Sequence, residues 1–221
     1  MTETLRPGPD GRAVSDERLR DVEHQLLVYR FGIEEVMTKI AILRDELRLA
    51  HDYNPIEHLG SRLKSLGSIV AKSRRKGIPL TVEAVRAAMR DIAGVRVTCS
   101  FVSDIYRVRS MLLRQRDLAL LEERDYIALP KANGYKSLHL IVQVPVYLSD
   151  RVEDVPVEIQ LRTIAMDLWA SLEHKIYYKY DREVPRRLTD SLKLAADVAW
   201  SLDTSLERIH DEVHPGAHAI L

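Results

Sequence analysis

Lys64, Ser68 and Lys72 follow one another at intervals of four residues, so on a helix they share a face and offer two ammonium groups and a hydroxyl to one ligand. Such a trio suits a polyphosphate. Residues 58–82 as a whole hold Arg62, Lys64, Lys72, Arg74, Arg75 and Lys76 without a carboxylate, and an arginine adds a planar guanidinium that stacks on a base as well as gripping an oxyanion. Taken alone, a basic helical run is more often a solvated face.

A second polar row lies in Val157-Glu158-Ile159-Gln160-Leu161-Arg162, where strict alternation puts Glu158, Gln160 and Arg162 on one face of a strand and three aliphatics on the other. Asp91, in Arg90-Asp91-Ile92-Ala93-Gly94-Val95-Arg96, stands at the mouth of another apolar strand. Two carboxylates brought together on neighbouring strands repel unless a cation lies between them, and hard oxygen donors suit Mg2+. The alternative is that each carboxylate caps a turn or pairs with a nearby arginine, and spacing does not separate the two.

The third candidate is the stretch Asp125 to His139, turned at its centre by Pro130 and Asn133-Gly134. Lys131 for phosphate, Tyr135 for stacking and His139 just beyond would make a nucleotide loop, although a Tyr and a Lys in a loop are commonly surface residues. No Gly-rich phosphate motif of the Walker or Rossmann type occurs. Covalent catalysis finds little support: the single Cys99 falls in an apolar strand, there is no Gly-x-Ser-x-Gly elbow, and His51-Asp52 lacks companions for a metal-dependent hydrolase. Glu173 and His174 share a helix with Leu168, Leu172 and Ile176, which reads as a core face, so their expected role is to brace the sheet or its loops.

These side chains need a scaffold. Strands are expected at Ile92–Phe101, Leu118–Glu122, Ser137–Leu148 and Val155–Arg162, and helices at Gly60–Lys76, Thr81–Arg90, Ser103–Arg114 and Ile164–Tyr180. Thr81 is a candidate N-cap, with Ala84 in place of the acid a capping box needs. Around this middle lie two helical arms. The first carries apolar residues from Leu19 to Ala50 at spacings of three and four, with Gly32 as a candidate break. The second follows Pro185 through Leu188, Leu192, Ala195, Ala199, Leu202, Leu206 and Ile209. Each arm reads as an amphipathic helix on a core or as the seam of an oligomer.

The 221 residues include 33 Lys+Arg and 33 Asp+Glu, a balance that gives no bulk attraction to nucleic acid or anionic membrane, so any anion must be held locally. Residues 1–15 read as a disordered leader without the apolar stretch of a signal peptide or membrane span, which places the chain in the cytoplasm.

Taken in order, Arg62-x-Lys64-x-x-x-Ser68-x-x-x-Lys72, Asp91-Ile-Ala-Gly-Val-Arg96, Asp125-Tyr-Ile-x-x-Pro-Lys131-x-Asn133-Gly-Tyr135-x-Ser-x-His139, Glu158-Ile-Gln160-x-Arg162-Thr and Trp169-Ala-x-x-Glu-His174 closely resemble the synthetase domain of the RelA/SpoT superfamily. With its terminal helices and short length, the chain is similar to the stand-alone small alarmone synthetases. The resemblance implies an α+β fold with a mixed sheet of the nucleotidyltransferase type. Its parts would be an N-terminal helical region at 16–54, a synthetase domain at 55–180 and a C-terminal helical region at 181–221.

The implied activity is transfer of the β,γ-diphosphate of ATP to the 3′-hydroxyl of GTP or GDP, releasing AMP and making the stringent-response alarmones pppGpp and ppGpp. On the same resemblance Arg62 and Arg96 sandwich adenine, Lys64, Ser68 and Lys72 hold the ATP phosphates, and Asp91 and Glu158 bind Mg2+, with Glu158 also the base. Tyr135 stacks on guanine with Asn133 nearby, Lys131 and His139 face the acceptor's 5′ phosphates, and Gln160 places its ribose.

Departures from the pattern leave some matters open. No room is seen for the hydrolase domain of larger members, so synthesis without hydrolysis is expected. Glu122-Glu123-Arg124-Asp125 leaves the GTP or GDP preference unset, and His58-Leu59-Gly60-Ser61 departs from the family's allosteric segment, while a homotetramer built through the terminal helices is compatible with both arms. Two competing readings are a related enzyme with another purine acceptor such as GMP, and a non-catalytic oligomer that binds single-stranded RNA through residues 58–82.

Overall fold

Strands with one aliphatic and one polar face must lay the aliphatic face on something apolar, and here a long helix supplies it. The computed structural model describes residues 16–50, 53–179 and 184–213. Among these, five strands form one sheet: β1 (Ile56–Leu63), β2 (Ala93–Cys99), β3 (Ala119–Asp125), β4 (Leu138–Tyr147) and β5 (Val152–Thr163). Their order is β1-β2-β5-β4-β3, with β2 and β5 parallel and the other pairs antiparallel. The helices are α1 (Asp16–Ala50), α2 (Leu66–Lys76), α3 (Val82–Ala88), α4 (Val102–Leu113), α5 (Ile164–Lys179) and α6 (Arg186–Val213). This is the mixed α+β class expected from the sequence. The leader at 1–15, the His51-Asp52 pair and Tyr180 lie outside the described residues.

The spacing of three and four in the first arm is the face α1 buries, with Tyr29, Ile33, Val36 and Ile40 in one core cluster with Val155, Val157, Ile159 and Leu161 of β5, and Val22 and Leu47 buried as well. Burying such a side chain contributes about 1.5–3 kcal/mol. The helix is continuous through Gly32 rather than broken there. Gly32 serves a close approach instead, since a Cβ on it would lie 2.6 Å from Val155 Cγ1.

Three expectations are corrected. Residues 60–63 are not the start of a helix but the end of the edge strand β1, paired antiparallel to β2, and the helix begins only at Leu66, capped by Ser65. As an edge strand β1 buries little and shows no alternation, so main-chain pairing rather than side-chain pattern defines it. In the C-terminal arm Leu202, Leu206 and Ile209 are exposed, while α6 buries Leu192, Ala196, Asp203 and His210. Polar contacts turn the helix that way: Thr163 Oγ1 donates to Asp203 Oδ2 at 2.8 Å, Val102 N donates to Glu207 Oε2 at 2.7 Å, and Phe101 stacks on His210. On α5 the presumed core residues Leu168 and Leu172 are exposed, and Ala165, Met166, Trp169 and Ala170 are buried in their place. Thr81 does cap α3, its Oγ1 accepting from Ala84 N at 3.3 Å.

Candidate active site

Because Val155, Val157, Ile159 and Leu161 point to α1, the intervening Glu158, Gln160 and Arg162 must point to the other face of the sheet. Register extends this polar row across neighbouring strands. Arg62, Gly94 and Glu158 stand side by side on β1, β2 and β5, and Gly60, Arg96 and Gln160 form the next row but one. A Cβ on Gly60 would meet nothing within 4 Å, and one on Gly94 would make only ordinary contacts, so the two glycines leave the floor open between the charged side chains. With α5 as a wall, the result is a cleft of about 570 Å³ lined by residues that include Arg62, Lys64, Asp91, Arg96, Tyr135, Glu158 and Gln160.

At one end, Lys64 Nζ donates to Asp91 Oδ2 at 2.6 Å, and Lys72 Nζ lies 2.8 and 2.7 Å from the two oxygens of Asp91. Burial alone would raise the Asp91 pKa, but the two lysines outweigh it and hold the carboxyl below its ordinary range. The spacing argument for Lys64, Ser68 and Lys72 therefore needs amendment: Lys64 precedes α2, yet it converges with Lys72 on one acid. Lys64 and Arg62 are two residues apart, and β1 ends between them at Leu63. Ser68 is exposed at the start of α2, where its N–H donates to Ser65 Oγ and its hydroxyl lies 2.9 Å from that oxygen.

At the other end five side chains close a ring of hydrogen bonds. Arg162 Nη2 donates to Tyr135 Oη at 2.7 Å and to Gln160 Oε1 at 2.8 Å; Gln160 Nε2 donates to Glu158 Oε2 at 2.9 Å. His139 Nδ1 lies 3.1 Å from Glu158 Oε1, and its Nε2 lies 2.7 Å from Tyr135 Oη. With Nδ1 toward Glu158 and Nε2 toward Tyr135 Oη, His139 bridges the acid and the phenol and closes the ring, while Arg162 Nε is left without a partner among the described residues. Burial tends to raise the Glu158 pKa and the nearby Asp91 charge adds to this, but His139 and Gln160 prevail and keep the group ionised. For Tyr135 burial dominates and raises the pKa against the pull of Arg162, so the phenol stays a proton donor.

His139 is thus buried beneath the cleft with both ring nitrogens engaged. Lys131 Nζ sits 4.5 Å from the Tyr135 ring centroid and 4.4 Å from that of Tyr126. Asn133 shapes the turn, its Oδ1 accepting from Tyr135 N at 3.2 Å and its Nδ2 donating to Glu173 Oε1 at 3.1 Å. Gly134, at φ +88°, rests on α6, where a Cβ would lie 2.6 Å from Ala196 Cβ. Glu173 and His174, expected to brace the sheet or its loops, line the cleft, and Glu173 does brace the loop through Asn133. Sequence reasoning also passed over Asp167, which accepts from Arg96 and from Arg162; its position in the first turn of the helix that follows β5 was the available signal.

Three carboxylates of the described residues line the cleft: Glu173 on α5, and the pair Asp91 and Glu158 that the resemblance assigns to the metal. Among the described residues no group of three or more His, Cys, Asp or Glu surrounds a common point. Two acids fit Mg2+ bound together with a substrate phosphate and water, and not a self-sufficient protein cage. No helix among the described residues is long and apolar enough to cross a membrane.

A family model described as a region found in RelA / SpoT proteins matches residues 61–183. The chain is 52% identical over 195 residues to the GTP pyrophosphokinase YwaC of Bacillus subtilis (strain 168), covering 88% of this chain and 93% of that one. The crystal structure of small alarmone synthetase 2 from Bacillus subtilis matches with a TM-score of 0.80 at 50% identity, over 87% of this chain and 99% of that one. The small alarmone synthetase 1 of the same organism, bound to its product pppGpp, matches with a TM-score of 0.81 at 40% identity, over 87% and 97% of the two chains.

Proposed function

The chain belongs to the RelA/SpoT family and is a GTP pyrophosphokinase of the small alarmone synthetase type, and we propose that the cleft over β1, β2 and β5 is where it moves the β,γ-diphosphate of ATP onto the 3′-hydroxyl of GTP or GDP. The observation that carries this reading is that two carboxylates, Asp91 and Glu158, line one cleft together with Arg62, Lys64, Arg96 and Tyr135.

Arg62 and Arg96 take the adenine between their guanidinium planes, and Lys64, Ser68 and Lys72 take the phosphates. On ATP binding the lysines exchange Asp91 for phosphate oxygens, which frees that carboxylate. Asp91 and Glu158 would then hold Mg2+, which supplies charge neutralisation on the phosphates and lowers the pKa of a nearby hydroxyl. Tyr135 stacks on the acceptor purine once Lys131 leaves its ring for the 5′ phosphates, with Asn133 and Gln160 placing guanine and ribose. His139 acts from beneath by orienting Glu158 and Tyr135. Glu158 takes the 3′-hydroxyl proton as the oxygen attacks Pβ of ATP, the bond from Pβ to the bridging oxygen breaks, and AMP leaves with that oxygen. Positioning and charge neutralisation supply the catalysis in a transfer of this kind.

ATP and GTP as substrates support a cytoplasmic enzyme. Its exposed α6 stripe of Leu194, Val198, Leu202, Leu206, Ile209 and Val213 recurs every three or four residues, which supports assembly with further copies, up to a tetramer. Light scattering at micromolar concentration tests this, a monomer counting against it.

Incubation of the purified chain with Mg2+, [γ-32P]ATP and GTP, GDP or GMP in turn, followed by separation of products, tests the reaction and its acceptor. Labelled pppGpp from GTP or ppGpp from GDP supports the reading; label passing only to water or only to GMP contradicts it.

A further inference from the structure

We infer that Asp167 is a positioning residue that couples the two nucleotide pockets, an inference that rests on the reading of the cleft given above. Asp167 stands in the first turn of α5. Its Oδ1 accepts from Arg96 Nη1 at 2.9 Å and from Arg162 Nη1 at 3.1 Å, and Oδ2 lies 3.3 Å from Arg96 Nη1. The two arginines differ in exposure: the Arg96 side chain is 45% exposed at the donor wall, whereas that of Arg162 is 9% exposed on the floor. Arg162 in turn donates to Tyr135 Oη and to Gln160 Oε1. A path of direct hydrogen bonds therefore runs from the arginine at the donor purine, through Asp167 and Arg162, to the ring at the acceptor purine.

A buried guanidinium needs an opposing charge, and Asp167 gives Arg162 one while sharing it with Arg96. A shared carboxylate makes the two bonds interdependent, because any shift of Arg96 onto a purine changes how firmly Arg162 is held, and with it Tyr135. A guanidinium held at its Nη edge also keeps its planar faces free for a base. Linkage then requires the effect to be reciprocal: ATP must change the affinity for the acceptor by the same factor as the acceptor changes that for ATP.

Calorimetric titration of the full chain with AMPCPP and with GDP, each alone and with the other saturating, reads this factor. The wild-type factor should be about fivefold or more. Asp167→Asn should bring it to one while each nucleotide still binds alone. Two further variants leave the Asp167–Arg162 pair in place and so guard against misfolding. Arg96→Ala should weaken GDP binding by about threefold with no ATP analogue present, and Tyr135→Phe should weaken AMPCPP binding with no GDP present. Cross effects absent from both variants, or a coupling factor that survives Asp167→Asn, would overturn the inference. Failure of the wild-type chain to bind both nucleotides would instead defeat the reading of the cleft itself; normal binding and turnover without cross effects defeat the role of Asp167 alone.

Discussion

Lys72 Nζ lies 2.8 Å from Oδ1 and 2.7 Å from Oδ2 of Asp91, and Lys64 Nζ reaches the same acid at 2.6 Å. Two ammonium groups on one carboxylate leave a net positive site, so an incoming triphosphate meets attraction while the acid stays ionised. Charge-assisted hydrogen bonds of this kind contribute about 1.5–3 kcal/mol each. Lys72→Met is accordingly expected to raise the KM for ATP about tenfold or more and to leave that for the acceptor near its original value. Steady-state kinetics with each substrate varied in turn check this, and an equal rise in both KM values would speak against separate pockets.

Tyr135 is held by Arg162 and His139 at its hydroxyl and approached by Lys131 at its ring. Stacking of a base on an aromatic ring is worth roughly 1–3 kcal/mol. Tyr135→Ala should therefore raise the acceptor's KM by about tenfold, while Tyr135→Phe, which keeps the ring, should retain most acceptor affinity. Weakened use of ATP in place of the acceptor by the alanine variant would mean that the two pockets are reversed.

Asp203 anchors α6 through Thr163, and its pKa is pushed up to about 6, chiefly by burial and further by the charge of Glu207. Asp104 is raised to about 6 as well, again chiefly by burial. A carboxyl raised in the folded chain binds its proton more tightly there than in the unfolded chain, so its contribution is fully present below the ordinary carboxylate range and is lost as pH rises through about 6. Asp91 and Glu158 have the opposite sign, contributing above the ordinary range and losing that only as pH falls through their depressed values. Asp203→Asn keeps an oxygen for Thr163 and removes the buried charge; it should stabilise the chain at pH 7 by about 1 kcal/mol and flatten the fall in stability between about pH 4 and 6. Urea unfolding at several pH values measures both, and a variant that is less stable at pH 7 with an unchanged pH profile would contradict the assignment.

Much of this was written in local pattern. Alternation along β5 separates Glu158, Gln160 and Arg162 from the aliphatics that meet α1, and Asn133-Gly134 marks the turn that carries Tyr135. What escaped is what depends on partners distant in sequence. Strand β1 is defined by pairing with β2, so a run with Lys64, Ser68 and Lys72 at helical spacing looked helical from Gly60 onward. The α6 face was misjudged because Asp203 and His210, polar residues, are the buried ones, held by contacts with Thr163 and Phe101. The resemblance assigned His139 to the acceptor's 5′ phosphates, whereas the side chain is buried with its ring nitrogens on Glu158 and Tyr135, contacts that no local pattern announces.

The central claim is that Glu158, ionised and oriented by His139 and Gln160, carries the transfer. Glu158→Gln is nearly isosteric, so the decisive measurement is its initial rate of (p)ppGpp formation from ATP and the acceptor, taken beside AMPCPP and GDP binding and the unfolding midpoint of the same preparation. Turnover should fall by about 10²–10⁴-fold while folding and GDP binding persist. Near-normal turnover in that variant would contradict the account.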